Sequence, residues 1–109
     1  MLDLIIKNGK CYIDGQLKDK DIGIKDGKIE SIGKILKEAR QILSAEGLVV
    51  LPGCIDTQTH FREPGSTDTE DLHSGSKAAI VGGITSVFEM PNTNPPTSNK
   101  VEFQKKLDL

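Results

Sequence analysis

The chain has 109 residues, 36% of them hydrophobic with 11 glycines besides, and a formal net charge of −2, the make-up of one ordinary globular protein. Arginine occurs only at Arg40 and Arg62, and no basic cluster of the kind that meets nucleic acid is present. The opening run "MLDLIIKNGK" is far too short to span a bilayer and lacks a basic segment before it, so neither a membrane span nor a secretory signal is read there.

In "LDLIIKNG", Leu2, Leu4 and Ile6 share one face at period two, Asn8-Gly9 is a turn signal, and "KCYIDG" follows as a second short strand. "DIGIKDGKIESIG" repeats the device, with Ile22 and Ile24 on one side, a tight hairpin turn at Asp26-Gly27, and Ile29 and Ile32 beyond it. A small antiparallel β unit with one buried face is expected. Residues 34–43, "KILKEARQIL", have helical spacing at Ile35, Ala39 and Ile42 but are short, and read as a loop or a single helical turn. Cys11 and Cys54 are the only cysteines. Nothing marks the chain as secreted, so two reduced, partly buried thiols and a cytoplasmic protein are expected.

The pattern then changes. "GLVVLPGCID" is a continuous apolar run, as in a strand covered on both faces. A loop through Pro64 and Gly65 leads to a helix in "TDTEDLHSGSKAAIVGG", with Thr67 and Glu70 at capping-box spacing, Thr69 as a competing cap, and Gly82-Gly83 as the stop. "ITSVFEM" is another apolar strand, "PNTNPPTSN" a loop, and Ser98 or Asn99 starts a second helix. Two β-α units imply parallel strands. Two such strands do not make a stable sheet by themselves. The chain is therefore expected to be the amino-terminal part of a larger α/β protein, a barrel of roughly 250 residues being the usual form; a complete small α+β domain is the alternative.

In α/β barrels reactive groups gather at the carboxyl ends of strands. Here those ends are "DTQTHFREPG" and "EMPNTNPP". Along an extended strand Gln58, His60 and Arg62 share one face, with Asp56 on the same face one step deeper. His60 could offer a neutral ring nitrogen to a metal, Arg62 a planar fork of donors to a carboxylate, and Asp56 could orient an imidazole from behind. Plainer roles compete. A lone histidine is more often simply hydrogen-bonded than a ligand, Arg62 could pair with Glu63, Asn92 could cap a turn, and His73 reads as a surface or packing residue of the helix.

The segments "GLVVLPGCID", "DTQTHFREPG", "IKDGKIESIG" and "EDLHSGSKAAIVGGITSVFEMPNTNPPT" together resemble the start of a dihydroorotase in the amidohydrolase superfamily. Hydantoinases and allantoinases are similar in the first strand but usually differ at the positions of Arg62 and Asn92. The resemblance implies an α/β protein: the first two β-α units of a (β/α)8 TIM-type barrel over residues 51–109, preceded over residues 1–50 by the amino-terminal part of a small β-sandwich. It implies reversible cyclisation of N-carbamoyl-L-aspartate to L-dihydroorotate in pyrimidine synthesis. One or two zinc ions would serve that reaction, lowering the pKa of a water and polarising the amide carbonyl. Arg62 and Asn92 would hold the substrate carboxylate. A homo-oligomer, or association with aspartate transcarbamoylase, would be in keeping with it. The remaining ligands and the acid/base would lie beyond Leu109, so no catalytic group is expected within the chain and the 109-residue polypeptide is expected to be inactive.

One position departs from the family pattern. Histidine is usual at both 58 and 60, each on the same zinc, but position 58 is glutamine. A neutral amide oxygen is a poorer zinc ligand than imidazole. Gln58 could bind through its oxygen, or only hydrogen-bond and leave a weakened or single-metal site, or mark a catalytically silent relative. The competing functions are another cyclic amidase of hydantoin or dihydropyrimidine type and a non-catalytic subunit.

Overall fold

The computed structural model describes all 109 residues, which divide into two compact units, Met1–Pro52 and Gly53–Leu109. The fold is α/β: strands with two helices, both of them in the second unit.

The first unit is built on one long strand, β1 (Leu2–Ile13). It pairs antiparallel with β2 (Gln16–Lys25), which pairs antiparallel with β3 (Lys28–Gly33). On its other edge it takes β4 (Ala39–Ser44) and then β5 (Val49–Val50), both parallel. The sheet is thus mixed rather than purely antiparallel. The second half of the stretch expected to be a loop or helical turn is β4, because Ile5, Ile6 and Lys7 offer an open strand edge to Ile42, Leu43 and Ser44; pairing overrides the local helical spacing.

Asn8-Gly9 is not a hairpin turn. β1 runs through it, with a register shift against β2 between Ile6 and Gly9, and Asn8 at φ 62°. The same left-handed backbone that suits a turn here makes a β-bulge. Gly9 is needed there, since a Cβ would come within 2.7 Å of the Val50 side chain and 3.1 Å of Ala45. The hairpins close instead at Asp14-Gly15 and, as expected, at Asp26-Gly27, where both residues have positive φ. Leu2, Ile5 and Ile35 form a small core with Ala39 against it, while Ile29 and Ile32 stay exposed.

The apolar run 47–56 is two strands rather than one. Val49–Val50 belongs to the first sheet, and β6 (Cys54–Thr59) starts only after Pro52-Gly53. Gly53 lies against the Thr85 side chain with no room for a Cβ. β6 pairs parallel with β7 (Ile84–Glu89). Between them comes α1 (Leu72–Val81), and after β7 comes α2 (Lys100–Leu107). The α1 cap is Asp71, not Thr67 or Thr69. Asp71 Oδ1 accepts from the Ser74 N–H at 2.6 Å and Ser74 Oγ receives the Asp71 N–H at 3.3 Å, a reciprocal box that leaves both threonines in the preceding turns. These bonds to its ionised form hold the Asp71 carboxyl below the ordinary range. Asn99 caps α2, its Oδ1 accepting from the N–H groups of Val101 and Glu102.

Cys11 is buried and Cys54 exposed, and both are free thiols; the expectation that both are partly buried is corrected by Cys54, which sits on the uncovered face at the start of β6. No helix is long and apolar enough to cross a membrane.

Candidate active-site edge

The parallel pairing of β6 and β7 brings their carboxyl ends side by side. Beyond the last paired residues the Met90 N–H donates to the Thr59 carbonyl at 2.8 Å, so the two chains leave the sheet together. His60 and Asn92 follow immediately. Both side chains are exposed, and His60 Nδ1 lies 2.9 Å from Asn92 Oδ1.

A carboxylate below them fixes this edge. Glu89 Oε2 accepts the Phe61 N–H at 3.1 Å, and Oε1 accepts from Lys106 Nζ at 2.9 Å. The pair is mostly buried, with 10% of the lysine and 20% of the glutamate side chain accessible. Sequence reasoning missed both residues. The one available signal was a lone acid closing the apolar strand "ITSVFE". Phe61 in turn packs on α1 at Gly75, where a Cβ would come within 2.8 Å of the ring. An apolar cleft of about 390 Å³ lies under this edge, lined by Phe61, Leu72, Val87, Phe103 and Leu107 around the Glu89–Lys106 pair.

The two loops are tied again further out. The Asn94 N–H donates to the Pro64 carbonyl at 3.1 Å. Gly65, at φ 106°, passes so near the Asn94 carbonyl that no side chain fits. Glu63 does not pair with Arg62. Its Oε2 accepts the Leu72 N–H at 2.8 Å, placing a negative charge at the α1 amino terminus.

Arg62 lies in the same loop, its side chain exposed and its carbonyl accepting the Ser66 N–H. Of the two arginines only Arg40 is ion-paired, to Asp3. The shared face expected from Asp56 to Arg62 does not run unbroken. The register shifts between Asp56 and Thr59, and β6 ends at Thr59, so period two is lost before His60. Asp56 Oδ1 accepts the Gln58 N–H at 2.9 Å, while the His60 ring meets Asn92 instead. The Gln58 side chain is exposed. His73 is exposed on α1.

A zinc site takes about four ligands, at least three of them from protein. No group of three His, Cys, Asp or Glu side chains in this chain is placed to hold a metal ion. His60 can offer one ring nitrogen and Gln58 at most a weak oxygen. The residues present do not by themselves fit a metal.

Residues 49–107 match the amidohydrolase family. Over 97% of its length the chain is 44% identical to an allantoinase of Escherichia coli. It superposes on an L-hydantoinase (dihydropyrimidinase) from Arthrobacter aurescens with a TM-score of 0.86 and 34% identity, again over 97% of the chain. A D-aminoacylase with a binuclear metal centre, described as activated by one metal and attenuated by the second, aligns over 80% of the chain at 26% identity and a TM-score of 0.58. The chain spans 24% of the length of the allantoinase and of the hydantoinase, and 18% of the aminoacylase. The more similar of these relatives are an allantoinase and a hydantoinase where the sequence reading put dihydroorotase first, and they do not carry the narrower assignment. The family match covers more than half of the chain, and the chain belongs to the amidohydrolase family.

Proposed function

We propose that this chain supplies the first part of the active site of a cyclic-amide hydrolase acting on a neutral ureide ring of the allantoin or hydantoin kind. In this reading residues 53–109 are the first two β-α units of a (β/α)8 barrel and the amino-terminal sheet is part of a small β-sandwich. The remaining strands, ligands and acid/base come from residues outside the chain. The observation that carries the proposal is likeness to the E. coli allantoinase along 97% of the chain at 44% identity. The parallel pairing of β6 with β7, which sets their carboxyl ends side by side, supports it.

Ring opening adds water across the amide. The water oxygen bonds to the carbonyl carbon, the ring C–N bond breaks, and the nitrogen leaves with a proton. A metal bound in the longer protein would polarise that carbonyl. The residues of this chain bind and orient. His60 presents its ring at the strand end, the Asn92 amide lies beside it, and Arg62 stands in the adjoining loop with its donors free. Gln58 in place of an imidazole favours a single-metal site, and a family relative described as activated by one metal is in keeping with that.

A second reading is dihydroorotase. It is favoured by Arg62, a guanidinium without an internal acid partner close to the Asn92 loop, which suits a substrate carboxylate. Aspartate transcarbamoylase as a partner belongs to that reading alone. Substrate comparison decides between them, using a polypeptide of the relatives' length that carries this chain. A higher kcat/KM on hydantoin or allantoin than on dihydroorotate is expected. Arg62→Met should spare neutral-ring turnover within a few-fold. Preference for dihydroorotate, with turnover crippled by Arg62→Met, would establish the second reading in its place.

A further inference from the structure

We propose that Asn92 is a positioning residue that locks the neutral His60 imidazole in its Nδ1–H tautomer, turning the Nε2 lone pair outward. An amide oxygen can only accept, so the 2.9 Å contact from Asn92 Oδ1 to His60 Nδ1 requires the proton on Nδ1. The opposite nitrogen is then the basic one, free for a metal or for a proton. Free imidazole has no such constraint, and the tautomer in a protein is set by the hydrogen bond that the other ring nitrogen makes.

Both side chains are exposed, where one such bond would ordinarily exchange with water. Here two backbone bonds and one side-chain carboxylate hold the two segments together. The Met90 N–H bonds the Thr59 carbonyl directly before His60, Glu89 receives the Phe61 N–H directly after it, and Asn94 bonds Pro64 beyond. The bond therefore costs little further ordering of the chain. The Asn92 Nδ2 hydrogens remain unused, so the same amide can donate to a substrate carbonyl or carboxylate while its oxygen holds the ring. Asn92 thereby couples substrate contact to the direction of the His60 lone pair. The tautomer assignment stands on this geometry alone; its use in catalysis rests on the function proposed above.

The test is imidazole nitrogen NMR on the metal-free 109-residue chain at about pH 8.5, where unperturbed histidine is neutral. His73, exposed on α1, is the internal control. His60 is expected almost wholly as Nδ1–H, with Nε2 resonating as the bare nitrogen, while His73 shows the Nε2–H form in excess. Asn92→Asp, which keeps an accepting oxygen, should retain the His60 pattern; Asn92→Ala should return His60 to the ratio of His73. An Nε2–H tautomer at His60 in the unsubstituted chain overturns the proposal, because the amide would then be donating through Nδ2. A His60 pattern unchanged in a folded Asn92→Ala overturns it as well. Should Asn92→Ala fail to fold, the unsubstituted chain and Asn92→Asp decide. None of these outcomes depends on which ring the longer protein opens.

Discussion

Asp21 is the charged side chain sealed into the amino-terminal sheet, with 8% of its surface accessible. Its two oxygens accept the Asn8 N–H at 3.0 Å and the Ile35 N–H at 3.2 Å. It thus ties the bulge in β1 to the segment that enters the core. The Asn8 amide most of all, opposed by desolvation and helped by the Ile35 amide and by Lys7 and Lys34, holds this carboxyl below the ordinary range. Because the folded-state value is the lower one, the stabilisation is complete above the unfolded value, about 3.9, and is lost as pH falls through the folded value. Denaturant titrations should show stability declining as the pH falls below about 4. In Asp21→Asn that decline should be shallower, with the residue from Asp3 and Asp71, whose carboxyls are also lowered. At pH near 7 the same substitution should cost about 1–3 kcal/mol, since the amide nitrogen that replaces one carboxylate oxygen leaves one of the two N–H donors without its acceptor. An acid limb as steep in Asp21→Asn as in the parent chain would remove Asp21 from this account.

At the level of elements, the loop after β6 and the loop after β7 are one structural piece. Gly65 adopts φ 106° beside the Asn94 carbonyl, so Gly65→Ala carries both backbone strain and a collision. Strain of this kind is about 1–3 kcal/mol, and relief requires the loops to part. Amide exchange at Asn94 and the His60 ring signals should therefore respond together, whereas Gly83→Ala, at a positive φ with open space around it, should leave both unchanged. Asn99→Ala should destabilise α2 by about 1 kcal/mol through loss of the cap, read as faster amide exchange at Val101 and Glu102. The same elements show what the residues alone could reveal. The parallel strands and the meeting of His60 with Asn92 were legible, because successive β-α units place their carboxyl ends on one side. The Asp26-Gly27 hairpin was legible from turn chemistry. Asn8-Gly9 carries the same chemistry and makes a bulge, since β1 resumes its pairing with β2 at Gly9 and takes β4 and β5 along its other edge. β4 itself was hidden because its pairing partner lies more than thirty residues away, and the Glu89 tie to Phe61 was hidden because it depends on a loop returning to the strand beside it.

For the molecule as a whole, the two units differ in how much they bury. The first has a sealed cluster at Leu2, Ile5 and Ile35. In the second the only fully buried residue is Gly75, and large apolar side chains on its strands stand open, with Ile55 at 59% and Phe88 at 60%. Parallel strands of this composition ordinarily lie covered on both faces, and in the proposed barrel this exposed apolar surface is where further strands and helices would pack. Local stability follows burial. Hydrogen exchange on the 109-residue chain should therefore find the amides of β1 about as protected as global unfolding allows, and those of β6 and β7 exchanging through smaller openings. The 109-residue chain should also show no amidase turnover, since His60 and Asn92 alone make neither a metal site nor an acid/base pair. In a polypeptide of the relatives' length the order should reverse for Ile55 and Phe88, their amides joining the slowest class as further strands and helices cover them. Equal protection of β1 and β6 in the 109-residue chain would mean that the open faces need no cover, and the barrel reading would go with them.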